Sequence, residues 1–471
     1  MTHYPELDRF AEQMEAAGLH RAVIDAFGRL YRRYRDGDPG KLPWAGISPV
    51  GARDLIPYEQ LGAKDRERGR ELLPQLVAVS LNGGLGTTMK LSHTKSLITV
   101  REGKSFLEFT ARQLLLLRSA TGWSVPWLLM NSYHTRDDTL RALSAFPDLR
   151  VEGLPLDFVQ NRFPRVVRET GLPLDLDDPE ANWAPPGHGD VYLSLWLTGL
   201  LERLLERGYR WVFTSNIDNL GGTVDPAMLG FMEREGLQFV MEVTQRTEAD
   251  VKGGPLVRSI DAGGRSRLML LEGSQVEPGH MEDFCNLGVF SVFNTNSLWW
   301  RLDAMLERLK QGTLELPMIV NPKTVEGVEV VQLETAMGAA VGCFERSAGV
   351  KVPRSRFAPV KATSDLLVVR SDAYLLEAED LGIRPNPARP AHLTGPPVVS
   401  LDDRFFKGLR DFDARFPDPP SLVACRRLSV EGDVRFGREV RVEGDVVVRN
   451  RSGSQRAVPD GTLLRDETRE L

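Results

Sequence analysis

The sequence predicts an α/β protein: a mostly parallel sheet covered by helices on both faces, followed by a smaller all-β repeat. Three observations predict it. Short apolar runs alternate with helical segments between residues 74 and 243, the pattern of a parallel sheet. Polar and glycine clusters fall just past the C-terminal ends of those runs, where an open α/β sheet keeps its ligand crevice. After a proline-rich stretch (Pro385, Pro387, Pro390, Pro396, Pro397) the string VEGDV occurs at 430–434 and again at 442–446. Val430, Val434, Phe436, Val440, Val442 and Val446 alternate with polar residues or glycine there. A repeat of twelve, or two sixes, suits the coils of a small β-helix, and a plain β-meander fits the same alternation.

In chain order, residues 5–36 carry Leu19, Val23, Phe27, Leu30, Tyr31 and Tyr34 at helical spacing with arginines between them. Two amphipathic helices packed on a larger body are expected. Residues 37–72, rich in Gly, Pro and charge, read as a connector. Leu76 to Leu81 is an apolar strand that runs straight into Gly83, Gly84 and Gly86, with Lys95 following. Glycines at a strand end let backbone approach a bulky anion, and a tight turn with packing glycines is the other reading. Neither G-x-G-x-x-G nor G-x-x-x-x-G-K-[ST] is present, so this is a glycine loop of a third kind. Ser105-x-x-Glu108 is a capping box ahead of the helix of Gln113–Leu117. Trp127–Met130, Trp211–Ser215 and Phe239–Val243 are further strands, and residues 190–207 form a helix with Asp190 placed as its N-cap.

A chain of 471 residues exceeds one core. We expect a helical segment and connector over 1–72, a sheet domain over 73–384, and a linker with the β repeat over 385–471. A composition 42% hydrophobic and 26% charged is that of a soluble globular protein. A net charge of −6 argues against a general nucleic-acid binder. Cys285, Cys343 and Cys425 are widely spaced and offer no metal-type or redox pair, which fits a reducing cytoplasm. The opening MTHYPELDRF lacks the layout of a signal peptide, and no apolar run approaches the ~20 residues that span a bilayer. A soluble cytoplasmic protein, without nucleic-acid or membrane partners, is expected.

The clusters taken together resemble the eukaryotic-type UDP-glucose pyrophosphorylase (UTP–glucose-1-phosphate uridylyltransferase) family. The stretches that carry the resemblance are LNGGLGTTM (81–89), MNSYHTRDDT (130–139), FVQNRFPRV (158–166), WAPPGHGD (183–190) and FTSNIDNLGGTVD (213–225). MEVTQRTEADVKGGPL (241–256), FNTNSLW (293–299), IVNPKT (319–324), VVQLETAMGAA (330–340) and VPRSRFAPVKATSDLL (352–367) follow in the same order. Each alone is weak; their number and order are specific. The resemblance implies a glycosyltransferase-A-like (Rossmann-like) nucleotidyltransferase domain with a mixed, mostly parallel sheet, and a left-handed parallel β-helix after it. It implies the reaction of UTP with glucose 1-phosphate to UDP-glucose and pyrophosphate, with Mg²⁺.

That chemistry needs positioning and charge neutralisation rather than a general base, because the attacking phosphate oxygen is already anionic. The resemblance assigns Leu81, Asn82, Gly83 and Gly84 to a nucleotide cradle, and Lys95 and Lys361 both to the nucleotide's phosphates and to catalysis, with Lys361 in the chief catalytic role. Gln160 and Gly187 match the readers of uracil; an amide side chain offers both donor and acceptor to an imide edge. Asp218 matches the magnesium ligand, and one carboxylate with substrate phosphates is enough to hold Mg²⁺. Gly83, Gly84, His188, Asn216, Ile217, Asp218, Gly254, Glu272, Asn294 and Lys323 are expected around the sugar phosphate, and Asp365 as a structural or supporting partner of Lys361. Where the family has Gly-Pro before the phosphate lysine this chain has His93-Thr94, and Lys90 replaces a glycine, so Lys90 or His93 are candidates for extra phosphate contacts. The short C-terminus points to a monomer or a weak homodimer. Two alternatives stay open: the same chemistry on another hexose 1-phosphate, and a non-catalytic nucleotide-sugar-binding subunit.

Overall fold

The apolar runs become strands of one eight-stranded sheet in the computed structural model, which describes residues 4–86, 89–91, 94–260, 263–377, 381–393 and 395–471. In chain order the strands are β1 (Leu55–Pro57), β2 (Leu76–Asn82), β3 (Trp127–Asn131), β4 (Asp157–Val159), β5 (Trp211–Asn216), β6 (Phe239–Gln245), β7 (Val292–Arg301) and β8 (Ser347–Lys351). They lie in the order β1-β8-β6-β7-β5-β2-β3-β4. Strand β7 runs antiparallel to β5 and β6, and every other neighbouring pair is parallel. The expected mixed, mostly parallel α/β sheet is therefore the observed one.

Both faces of the sheet are covered. Val77, Val79 and Leu81 of β2 pack with Val191, Tyr192, Leu195 and Leu201 on one side. Leu76 and Ala78 pack with Leu107, Ala111, Leu114 and Met228 on the other. Strand β2 is buried along its whole length, as a strand between two helical layers must be. Buried indole N–H groups need acceptors, and find them: Trp127 donates to Ser80 Oγ at 2.9 Å and Trp300 to Thr214 Oγ1 at 2.9 Å.

The capping box forms as read, Ser105 N donating to Glu108 Oε2 at 2.8 Å ahead of the helix Phe106–Thr121. Three readings need correction. Residues 37–72 are not only a connector: they supply edge strand β1 and the helix Ala63–Leu72, which lies along the helix Pro226–Glu235. A three-residue strand ending in proline carries no periodicity to read. The helix 190–207 is two helices, Asp190–Leu197 and Leu200–Glu206, separated at Gly199 (φ +69°). Asp190 is inside the first of them and does not cap it. Its buried carboxylate accepts from Asn161 N at 2.6 Å, Asn161 Nδ2 at 2.9 Å and Ser194 Oγ at 2.6 Å, and burial pushes its pKa up to about 6.

In the C-terminal part Val398–Leu401, Cys425–Glu431, Arg441–Arg449 and Thr468–Glu470 stack in parallel, as do Val434–Phe436 and Arg456–Val458. Val430 lies opposite Val448 and Val447 opposite Thr468, so the twelve-residue spacing of VEGDV does not set the pairing. Val430, Val434, Phe436, Val440, Val442 and Val446 are all buried. Alternation thus identified the inward face, whereas the spacing of paired strands depends on the turns between them. This core is continuous with Met89, Ile98, Val100, Ala358, Val360 and Leu366, segments that flank Lys95 and Lys361.

Candidate active site

At the C-terminal ends of β2, β3 and β5 lies a cavity of about 290 Å³, lined by Leu81, Asn82, Gly83, Gly84, Lys95, Met130, Gln160, Pro185, Gly187, His188, Asn216, Ile217 and Asp218. The sheet geometry brings these together: β2 delivers the glycines, β5 delivers Asn216, and the turn after β4 delivers Gln160. Met130 and Pro185 were missed by sequence reasoning, although both sit inside quoted strings.

The glycine loop closes on itself, Lys95 N donating to Gly84 O at 3.2 Å and Met89 N to Gly86 O at 2.8 Å. A β-carbon on Gly83 would stand 3.1 Å from Gln160 Oε1, so glycine there lets the amide approach the loop backbone. Among the described residues the Gln160 side chain makes no hydrogen bond, while its backbone N–H donates to Asn131 O at 2.8 Å. A fixed backbone thus presents an unpaired amide to the cavity. The Asn82 side chain turns inward instead, donating to Asn131 Oδ1 and Thr139 Oγ1 at 2.8 Å each; only its backbone faces the cavity edge.

Lys95 and Asp218 form an ion pair across the cavity floor. It uses Asp218 Oδ2. The other oxygen, Oδ1, is buried and has no hydrogen-bond partner among the described residues. An orphaned carboxylate oxygen is costly unless something compensates it, and a hard cation takes such oxygens. The described residues hold no cluster of three or more His, Cys, Asp or Glu that would bind a metal unaided, so Asp218 fits a metal shared with a ligand's own oxygens.

Opposite, the loop 185–189 is pinned to the end of the strand Val328–Thr335: Thr335 N donates to Pro186 O and Gly189 N to Thr335 O, both at 2.9 Å. Gly187 has φ +81°, and a β-carbon there would stand 2.3 Å from Thr335 O. Only glycine fits. His188 Nδ1 accepts from Met337 N at 3.0 Å. Burial, and then the nearby Lys361 charge, lower the His188 pKa to about 4. The imidazole is neutral at pH 7 with its proton on Nε2.

Lys361 is exposed and does not line this cavity, yet its charge acts on His188, Glu272 and Asp365. Its place is fixed by the segment that carries Asp218. Asn219 accepts from Ala358 N at 2.9 Å, donates to Arg356 O at 3.2 Å and bridges to Pro359. Asp365 accepts from Lys361 N at 2.7 Å and Ala362 N at 2.9 Å, capping the helix Thr363–Arg370. Below this, Arg356 donates to both oxygens of Glu242 at 2.7 Å, and both side chains are buried. Neither Asn219 nor this pair was singled out from sequence. A lone glutamate inside the apolar strand Phe239–Gln245 was the available signal, since a buried carboxylate demands a cationic partner.

Gly254, Glu272 and Asn294 form an adjoining cluster. Asn294 N donates to Gly254 O at 3.0 Å, and Glu272 Oε2 lies 3.1 Å from where a Gly254 β-carbon would stand. Met337, which holds His188, is followed by Gly338, whose β-carbon would stand 2.8 Å from Asn294 Nδ2; the two clusters share this segment. Burial raises the Glu272 pKa, and Lys361 pulls it back. Lys323 does not line the cavity; it is exposed on the strand Met318–Val325, and its charge acts on Glu334, whose β-carbon lies 3.1 Å from where a Gly187 β-carbon would stand. Lys90 takes φ +52° with its side chain near Gly408 and does not line the cavity; His93 lies outside the described residues.

Known proteins resemble the whole arrangement. A family model described as UTP–glucose-1-phosphate uridylyltransferase matches residues 24–443. The protein of that name from Solanum tuberosum is 41% identical over 444 residues, covering 93% of this chain and 90% of the relative. The UTP–glucose-1-phosphate uridylyltransferase 2 of Dictyostelium discoideum is 38% identical over 444 residues, covering 93% and 86%. A Leishmania major UDP-glucose pyrophosphorylase mutant, solved in complex with UDP-glucose, superposes with TM-score 0.92 at 37% identity over 100% of both chains. The Trypanosoma brucei UDP-glucose phosphorylase structure superposes with TM-score 0.92 at 38% identity over 99% of this chain and 100% of the other.

Proposed function

We propose roles for the site residues on the premise that this chain belongs to the UTP–glucose-1-phosphate uridylyltransferase family. It is an enzyme of that family: UMP passes from UTP to glucose 1-phosphate, giving UDP-glucose and pyrophosphate. The observation that carries the assignment is a single cleft in which a phosphate-type lysine, an orphaned carboxylate oxygen and an unpaired amide face one another.

The uracil lies against Gly187 and pairs its imide edge with the Gln160 amide. The backbone of Leu81, Asn82, Gly83 and Gly84 borders the nucleotide, and Lys95 leaves Asp218 for the phosphates as they enter. Asp218, whose Oδ1 is buried without a partner among the described residues, would hold Mg²⁺, which would supply neutralisation of charge on the phosphates. Glucose 1-phosphate occupies the adjoining cluster, with its hydroxyls read by Asn216, Gly254, Glu272 and Asn294. His188, neutral, offers Nε2–H to the sugar phosphate, and the backbone at Ile217 closes the floor. An oxygen of that phosphate attacks the α-phosphorus in line while Lys361 follows the charge moving toward the leaving group. Lys323, whose charge acts on Glu334 beside Gly187, adds a contact to the sugar phosphate.

Three structural readings accompany this one. Residues 1–72 form a segment packed on a catalytic domain of 73–384, and 385–471 form a linker and a left-handed β-helix; the all-parallel pairing of the C-terminal strands supports the helix. Proteolysis that cut first within 160–340 would refute that division, and coils of the opposite hand in a crystal structure would refute the handedness. The protein is a monomer or weak homodimer, which sedimentation equilibrium tests, and it is cytoplasmic, which fractionation of the source cells tests. No helix among the described residues is long and apolar enough to cross a membrane.

The deciding assay measures pyrophosphate release from UTP with a panel of hexose 1-phosphates, with and without Mg²⁺. Release is expected with glucose 1-phosphate and Mg²⁺. A stronger response to galactose 1-phosphate or N-acetylglucosamine 1-phosphate would reassign the sugar, and full activity in EDTA would remove the metal from Asp218.

A further inference from the structure

A second cavity, of about 140 Å³, lies back to back with the nucleotide cleft on the other face of β2 and β5. Ala78 and Ser80 of β2 line it, together with Leu114 and Leu117 of the helix Phe106–Thr121, Trp127 and Phe213. Three of its polar walls are already engaged, while the Ser215 and Thr223 hydroxyls that also line it make no hydrogen bond among the described residues. Ser80 Oγ accepts from Trp127 Nε1, Thr110 Oγ1 donates to Phe106 O at 3.0 Å, and Gln113 Nε2 donates to Leu220 O at 3.1 Å and Leu381 O at 2.9 Å. The rest of the chamber is mainly apolar, and an apolar cavity of roughly 150 Å³ is enough to take up one benzene ring.

Leu117 and Ala120 also line a neighbouring surface pocket, with Arg66, Arg70, Trp123 and Pro226. The two arginines sit one turn apart on the helix Ala63–Leu72 and are exposed. Among the described residues neither makes an ion pair or a side-chain hydrogen bond, whereas Arg68 on the same helix pairs with Glu233. Trp123 is 46% exposed at the same rim. A ring-sized apolar chamber therefore opens beside two unpaired guanidinium groups and an aromatic wall.

We propose that this is a second ligand site, for a small aromatic anion whose ring enters the chamber while its carboxylate or phosphate meets Arg66 and Arg70. Guanidinium groups hold either head group through paired charge-assisted hydrogen bonds. The nucleotide cleft is on the opposite face of the strands, so the two sites fill independently.

The test is calorimetric titration of the full chain, saturated with UDP-glucose, using benzoate, phenyl phosphate and the neutral benzyl alcohol. At least one anion should bind roughly tenfold or more tightly than benzyl alcohol, and the order of benzoate and phenyl phosphate identifies the preferred head group. Arg66→Ser/Arg70→Ser should reduce the anions to the level of benzyl alcohol without changing turnover of glucose 1-phosphate. Ala120→Trp, at an exposed position on the rim, should block all three. Equal affinities for anion and alcohol, no binding, or binding untouched by these variants would overturn the proposal. So would benzoate binding that is seen only when UDP-glucose is left out, which would place the anion in the nucleotide cleft instead.

Discussion

Replacing His188 by asparagine isolates the electrostatic cost of charging this site. Asn Oδ1 takes the place of Nδ1 as acceptor for Met337 N, so the loop keeps its anchor while the titratable ring is lost. In the wild type the His188 pKa falls from 6.5 to about 4 on folding. The unfolded chain therefore binds more protons than the folded one between those values. Stability is full above pH 6.5, declines as pH falls, and the whole loss is reached below about pH 4. At about 1.4 kcal/mol per unit, the contribution lost by pH 5 is about 2 kcal/mol, and the full loss is about 3 kcal/mol. Asp190 titrates in the opposite sense, its raised pKa stabilising the fold at low pH and not above about pH 6, but it is present in both proteins and cancels in their difference. Urea unfolding followed by fluorescence of the buried Trp127, Trp299 and Trp300, at pH 7.5 and pH 5, measures the effect. Relative to wild type the variant should gain about 2 kcal/mol on moving from pH 7.5 to pH 5. A difference that stays constant with pH would mean that His188 is solvated and titrates normally, and the neutral Nε2 donor would then have to be abandoned.

Lys361→Ala should slow the chemical step by about a hundredfold or more while weakening UTP binding little; single-turnover quench flow with a nucleotide titration checks this, and an unchanged rate removes Lys361 from the mechanism. Arg356→Met leaves the Glu242 carboxylate buried and uncompensated, at a cost of about 3–5 kcal/mol, whereas Arg356→Met/Glu242→Gln should recover most of it because Glu242 Oε1 accepts from Trp299 Nε1 at 2.8 Å and a Gln amide oxygen can do the same. Calorimetric melting distinguishes these outcomes, and equal melting of single and double variants would refute the coupling. Asn219→Ala unties Ala358 and Arg356 from the Asp218 segment, so kcat should fall while KM for UTP barely changes; a rise in KM alone would make Asn219 a nucleotide contact and not a positioning residue.

What the sequence determined by itself is local. Strands were legible where apolar runs were long, as in β2 and β5, because burial between two helical layers admits few polar positions along them, and Ser80 and Thr214 are there as acceptors for buried indoles. The capping box at Ser105 was legible because both partners lie within one turn. The glycine loop, Lys95, Asp218 and Lys361 could be singled out because each sits in or beside a string that resembles the family's. Other features joined distant segments, and only the tertiary structure decided them. The orphaned oxygen of Asp218 exists because Lys95 takes the other one, across 123 residues of chain. Gly187 requires glycine because Thr335 presses on it, which no residue near Gly187 in sequence records. The neutral state of His188 comes from burial and from a lysine that Asn219 holds in place. Edge strand β1 and the helix break at Gly199 escaped notice because neither repeats over enough residues to leave a period. Hydrophobic periodicity encodes which face turns inward, but pairing distance, backbone clearance and charge depend on what the fold sets opposite each residue.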